Sequence, residues 1–199
     1  MRRIVAIALA GLLPGGLLGA AEHAHLGATW KSLPTIDEDA NTFTAKLRGL
    51  NEVPPVATGG TGSFSATLSS DGSTLMYKLT YDNLNAQILF AHIHFGFPKE
   101  ATGIMVFLCG PAAGAQGGPP TGTPSPPACP GTTSGTVTGS VTAANVIGPN
   151  AQGIAPGADF GKVVQALSEG AAYANVHTAR SPSGEVRGQV RAANENEDN

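Results

Sequence analysis

The chain has 199 residues, with 27 glycines, 15 prolines, 2 cysteines, and 11 Lys and Arg against 14 Asp and Glu. That length suits one domain with a proper core. The acidic balance, with basic side chains scattered and not clustered, excludes a nucleic-acid partner.

Met1-Arg2-Arg3 is a positive start, Ile4 to Leu18 is an apolar run broken by Pro14, and Gly19-Ala20-Ala21 supplies small residues for cleavage. Residues 1–21 therefore read as a signal peptide, followed by a flexible segment at 22–40. Taking Arg2 and Arg3 from the 11 basic side chains leaves 9 against 14 acidic ones, a net near −5. No second apolar stretch approaches the roughly 20 residues of a spanning helix, so the expected location is secreted or periplasmic, without a membrane span. Cleavage after Ala20 would leave Ala21-Glu22-His23 at the new terminus, and a histidine in third place can hold Cu(II) or Ni(II). Cleavage after Ala21 removes that motif.

From residue 41 the dominant period is two. Phe43, Ala45 and Leu47 alternate with Thr44, Lys46 and Arg48 as a first strand, which the Pro- and Gly-rich stretch from Asn51 to Gly62 ends. Phe64, Ala66 and Leu68 form a second strand up to Asp71-Gly72, a hairpin signal, and Leu75, Tyr77, Leu79 and Tyr81 return in the third. Further strands are predicted over Ile88 to Phe95, Ile104 to Cys109, Gly135 to Thr142, Ala172 to Thr178 and Glu185 to Arg191. One helix is predicted: Asp159 is the N-cap, Phe160, Val163, Val164 and Leu167 recur at helical spacing, and Gly170 supplies the stop. Eight short strands and one helix point to an all-β, two-sheet antiparallel sandwich with Greek-key character over 41–192, with an acidic, disordered tail at 193–199.

An oxidising compartment favours a bridge between Cys109 and Cys129. They bracket residues 110–128, a Pro/Gly-rich insertion of five glycines and six prolines with few apolar groups to bury. No Cys-x-x-Cys supports a redox role.

Three histidines carry the chemical interest. In a strand His92 and His94 share one face while Ile93 takes the other, and His177 shares its face with Tyr173 and Asn175. The last strand places Glu185, Arg187 and Gln189 together. If these strands neighbour one another, all eight side chains form one polar patch, which Glu52 in Asn-Glu-Val-Pro-Pro could join. An outer sheet face need only be polar, so a solvated, hydrogen-bonded patch that recognises a partner is one reading. The other is a site for copper or zinc on His92, His94 and His177, since both metals accept imidazole nitrogen. The His-x-His strand is similar to that of copper/zinc superoxide dismutase, but a second histidine cluster with an aspartate is missing, which argues against dismutase activity. Glu52 reads as a turn anchor, with Arg187 pairing to a carboxylate such as Glu52. Gly184 reads as a turn residue and Gly188 as a point of close backbone packing.

Gly49 with Asn51-Glu52-Val53-Pro54-Pro55, Ala91-His92-Ile93-His94 and a glycine after it, Gly170-x-x-Tyr173-x-Asn175-Val176-His177-Thr178, and Pro182-x-Gly184-Glu185-Val186-Arg187-Gly188-Gln189 occur in this order. Together they resemble the CHRD domain, named for chordin, over about Asn41 to Arg191. One departure is Gly103-Ile104-Met105-Val106, where the family usually continues toward Gly-Pro-Val. The resemblance implies an extracellular immunoglobulin-like sandwich. No nucleophile elbow, phosphate loop or cofactor fingerprint is found, so the expected role is a binding or structural module without catalytic activity of its own. Its partner would be an extracellular or periplasmic protein or small ligand.

Overall fold

The computed structural model describes residues 41–196; the predicted signal at 1–21, the segment at 22–40 and the last residues of the tail, 197–199, lie outside the described residues. The two-residue periodicity becomes nine strands: β1 (Thr42–Arg48), β2 (Thr61–Leu68), β3 (Leu75–Asp82), β4 (Ile88–Phe95), β5 (Ile104–Cys109), β6 (Gly135–Val141), β7 (Ala172–Thr178), β8 (Val186–Gln189) and β9 (Arg191–Ala192). A helix, α1 (Phe160–Ser168), precedes β7. Phe43, Leu47, Phe64, Leu75, Leu79, Ile93, Leu108 and Val176, each from the inward half of its strand's alternation, meet in one core.

The strand order is β5-β4-β7-β8-β1-β2-β3-β6, with β9 also beside β1, and every pairing is antiparallel. The layers of the expected sandwich are thus one continuous sheet that curls into a nearly barrel-like sandwich. Across the curl the Tyr77 hydroxyl of β3, the neighbour of the end strand β6, donates to the Leu108 carbonyl of β5, the other end strand, at 2.5 Å. Tyr81 donates similarly to the Pro130 carbonyl. Both phenols are pushed up to about 12 by burial, so they stay neutral donors.

The Asp71-Gly72 hairpin forms as expected, with Gly72 at φ 70° and the Asp71 carboxylate accepting from the Ser69 and Ser73 hydroxyls and the Ser73 amide. The helix buries Phe160, Val163, Ala166 and Leu167, and Gly170 ends it at φ 65°. Asp159 stands at the N-cap as expected, but its side chain makes no cap bond: the carboxylate accepts from the Ala155 amide and the Lys162 ammonium instead. The strand expected over Glu185 to Arg191 is broken into β8 and β9, and Ala193–Asn196 forms a 3-10 turn where a loose tail was expected.

Cys109 and Cys129 are bridged. The insertion they close folds back by a bond from the Gly114 amide to the Pro119 carbonyl at 2.8 Å. It lies against Phe90: a Cβ added to Gly117 would stand 3.2 Å from that ring, and one added to Gly110 3.0 Å from the Phe90 Cβ.

Candidate metal centre

Strand order decides which histidines meet. β7 lies between β4 and β8, with Phe90 opposite His177, His92 opposite Asn175, His94 opposite Tyr173, and Asn175 opposite Arg187. The β4–β5 register shifts between Ala91 and His92 and again between Ile93 and His94. Such bulges re-aim side chains, yet His92 and His94 stay on one face, their ring centroids 5.5 Å apart. His177 completes the cluster, with Nε2 3.2 Å from His92 Nδ1 and its ring centroid 4.8 Å from that of His92.

This face is not solvated, which corrects the expectation of an outer polar surface. His92, His94 and His177 are 2 %, 7 % and 6 % exposed, and every residue of β7 is buried. Phe90 stacks on His92 at 4.9 Å, Phe107 meets His92 edge-on at 4.2 Å, and Tyr173 lies parallel to His94 at 4.7 Å. The rest of the cover is the loop between β4 and β5, which the patch residues hold by its backbone. Arg187 donates to the Glu100 carbonyl at 2.5 Å and the Phe97 carbonyl at 3.1 Å, and Gln189 to the Gly96 carbonyl at 2.8 Å. The Tyr173 hydroxyl accepts from the Thr102 amide at 3.1 Å. Arg187 also lies 3.3 Å from the Tyr173 ring centroid, across the ring from His94 because β8 and β4 flank β7 on opposite sides. Tyr173, Arg187 and Gln189 are therefore clamps for a lid of backbone, and the imidazoles lie beneath it.

Two backbone carbonyls fix the protons. His94 Nδ1 donates to the Thr102 carbonyl at 2.8 Å and His177 Nδ1 to the Pro182 carbonyl at 3.0 Å, so each neutral ring presents an Nε2 lone pair. His92 Nδ1 donates to His177 Nε2, leaving His92 Nε2 a lone pair as well. The Nε2 atoms of His92 and His94 are buried without a partner. Asn175 Oδ1 stands 2.9 Å from His177 Nε2, beside the bond that this nitrogen accepts from His92 Nδ1. Burial holds all three rings below the ordinary histidine range, His94 and His177 at about 4 and His92 well below its usual value, with help from its neighbours' charges. At neutral pH they are uncharged, the state a metal requires.

One nitrogen from each ring can be chosen so that all three lie within 4.8 Å of one another. Bonds of about 2.1 Å to a common centre allow at most about 4.2 Å. The widest pair must therefore close by at least about 0.6 Å, and the 3.2 Å contact between His92 Nδ1 and His177 Nε2 is a hydrogen bond whose proton must leave before both nitrogens could serve one ion.

Two acidic residues of the expected patch stand elsewhere. Gly184, at φ 127°, turns the chain into β8, and the wholly buried Glu185 faces away, accepting from the Thr58 and Thr178 hydroxyls and the Asn85 amide at 2.7 Å each. Glu52 packs against Gly184 and makes no ion pair with Arg187, whose donors go to carbonyls; its Oε1 is buried without a partner. Desolvation raises its carboxyl to about 7 despite the opposing pull of Arg187 and a bond from the Val53 amide. Glu52, Arg187 and Gln189 line a cleft of about 570 Å³ with Leu50, Pro98 and Lys99.

Sequence reasoning missed the walls and anchors of the site: Phe90, Phe107, and the carbonyls of Thr102 and Pro182. Phe90 was within reach, since it shares the strand face of His92 and His94; the others depend on loop paths that no spacing reveals.

Among the described residues no helix is long and apolar enough to cross a membrane, and a disulfide fits a non-cytoplasmic protein. Neither curated proteins nor solved structures yield a match. The CHRD domain family model matches residues 43–190, a span that holds β2 to β8, all of β1 but Thr42, the three histidines and both cysteines. The chain belongs to the CHRD domain family.

Proposed function

We propose that this CHRD domain is an exported binding module, without catalytic activity of its own, whose ligand is a transition-metal ion held by His92, His94 and His177. The supporting observation is three buried rings that can offer one nitrogen each within 4.8 Å of one another: two carbonyls fix the far side of His94 and His177, and two buried nitrogens lack any partner. A buried unsatisfied acceptor costs about 1–3 kcal/mol, and a metal on His94 Nε2 would remove that cost there. Histidine ligands in metal sites commonly donate the other ring N–H to a carbonyl in this way. Export is supported by the signal-like residues 1–21 and the disulfide. Among the described residues no carboxylate is hydrogen-bonded to the three rings, which favours holding over turnover.

The test is metal content and titration of the processed protein beside His94→Gln and a His92→Ala/His94→Ala/His177→Ala variant with the same N-terminus. One equivalent bound, weakened in the first and lost in the second while far-UV circular dichroism is unchanged, is expected. Equal binding by all three proteins would remove the site, since only the His23 terminus would then be responding.

A further inference from the structure

We infer that the three-histidine centre selects monovalent copper, Cu(I), over the divalent ions Cu(II) and Zn(II). The inference rests on the metal-binding reading above and adds the oxidation state. Three features carry it.

The donor set is neutral. All three rings are uncharged imidazoles, and none is hydrogen-bonded to a carboxylate: their partners are the Thr102 and Pro182 carbonyls, Asn175 and one another. Glu185, the nearest acidic residue along β8, is committed to Thr58, Thr178 and Asn85. An ion entering the cluster brings charge that no ligand cancels.

The surroundings are apolar, with a guanidinium at one side whose charge Glu52 and Glu100 partly offset. Phe90 and Phe107 flank His92, and the ring stacked on His94 carries the Arg187 guanidinium on its other face. The cost of placing an ion in a low-dielectric cavity grows with the square of its charge, so a divalent ion is penalised about fourfold more than a monovalent one of equal size. Repulsion from Arg187 doubles as well on going from one charge to two.

Ligand number also discriminates. Zinc sites keep four ligands, three from protein and a water in open sites, but the lid clamped by Arg187, Gln189 and Tyr173 encloses the cluster. Cu(I) is satisfied by two or three nitrogens. Imidazole suits copper and zinc alike, so preference falls to charge and coordination number, and both favour Cu(I).

The experiment is anaerobic titration of the disulfide-intact, full-length processed chain with Cu(I) against a chromophoric Cu(I) chelator. Separate Zn(II) and Cu(II) titrations follow, each with the triple alanine variant subtracted to remove binding by the His23 terminus. One Cu(I) per chain, held at least about 100-fold more tightly than Zn(II) or histidine-cluster Cu(II), is expected. A second variant, Phe107→Asp, places a carboxylate beside His92 at a half-buried position. It should shift the Zn(II)-to-Cu(I) affinity ratio at least 10-fold toward zinc. Zn(II) or Cu(II) bound as tightly as Cu(I) would overturn the selectivity while leaving the metal site standing. Absence of histidine-dependent binding by all three ions would overturn both.

Discussion

Replacing Glu52 by Gln should stabilise the protein in alkaline buffer and leave it nearly unchanged in acid. The side chain is 6 % exposed, packed at Gly184, and its carboxyl is raised from 4.5 to about 7. Between those values the native state holds a proton that the unfolded chain has released, so wild-type stability falls as pH rises through the window and levels off above it. At 1.36 kcal/mol per pH unit, the full gap between 4.5 and about 7 is worth about 3 kcal/mol at pH 8. At pH 5 the unfolded carboxyl is only just past its midpoint, and the cost is under about 1 kcal/mol. Glutamine cannot ionise, and any fixed cost of the amide is the same at every pH. The stability difference between Glu52→Gln and wild type should therefore grow by about 2.5 kcal/mol from pH 5 to pH 8. Urea unfolding of both proteins at pH 5, 6, 7 and 8 reads it directly. Parallel curves across that range would refute the argument, because they would mean that Glu52 ionises as freely in the fold as out of it.

The histidines give the opposite slope. With His94 and His177 held at about 4 against 6.5 when unfolded, the native state binds fewer protons than the unfolded chain below pH 6.5, and stability is lost as pH falls. In the Glu52→Gln background, metal-free protein should lose about 4 kcal/mol from these two rings between pH 7 and pH 5, with His92 adding to it; denaturant midpoints that stay level would contradict their burial as neutral rings. Cys109→Ala/Cys129→Ala opens a loop of sequence separation 20 and should cost about 3 kcal/mol by loop-closure entropy without changing far-UV circular dichroism. In Gly188→Ala the new Cβ would stand 2.4 Å from the Lys46 carbonyl oxygen in β1, backbone that cannot step aside, so a thermal midpoint lowered by at least about 5 °C is expected. A midpoint equal to wild type would show that β1 and β8 have room to separate.

Strand identity was legible because Phe43, Ala45 and Leu47, or Leu75, Tyr77, Leu79 and Tyr81, place one half of each strand in the core. The meeting of His92, His94 and His177 followed from the same period once β4 and β7 were taken as neighbours. The burial of that face was not legible. Tyr173, Asn175 and His177 have the composition of a solvent face, and what covers them is main chain of the β4–β5 loop, whose amides and carbonyls look alike in every sequence. Arg187 illustrates the same limit: a guanidinium was paired with a carboxylate by charge, whereas two carbonyls and an aromatic ring satisfy it. Glu185 was misplaced because alternation was extended to it, one residue before β8 begins at Val186 and directly after the Gly184 turn. The continuity of the single sheet depends on pairings such as Arg48 with Arg187, and periodicity carries no information about partners so far apart.

The position of β1 beside β8 also bears on how the molecule is made. Until residues 186–189 have emerged, β1 has an open edge toward the missing partner, and the Arg187 side chain that pins the loop over the histidines does not yet exist. A growing chain can zip β1 to β2 and β3 early, but the sheet is joined through its middle only at the end, a long-range closure of the kind that slows folding. Metal captured before that moment would find the paired imidazoles of β4 open to water and to competing ligands. The order of synthesis thus makes the centre the last part of the domain to mature, and a nascent chain stalled before β8 would have neither a sealed edge nor a closed site.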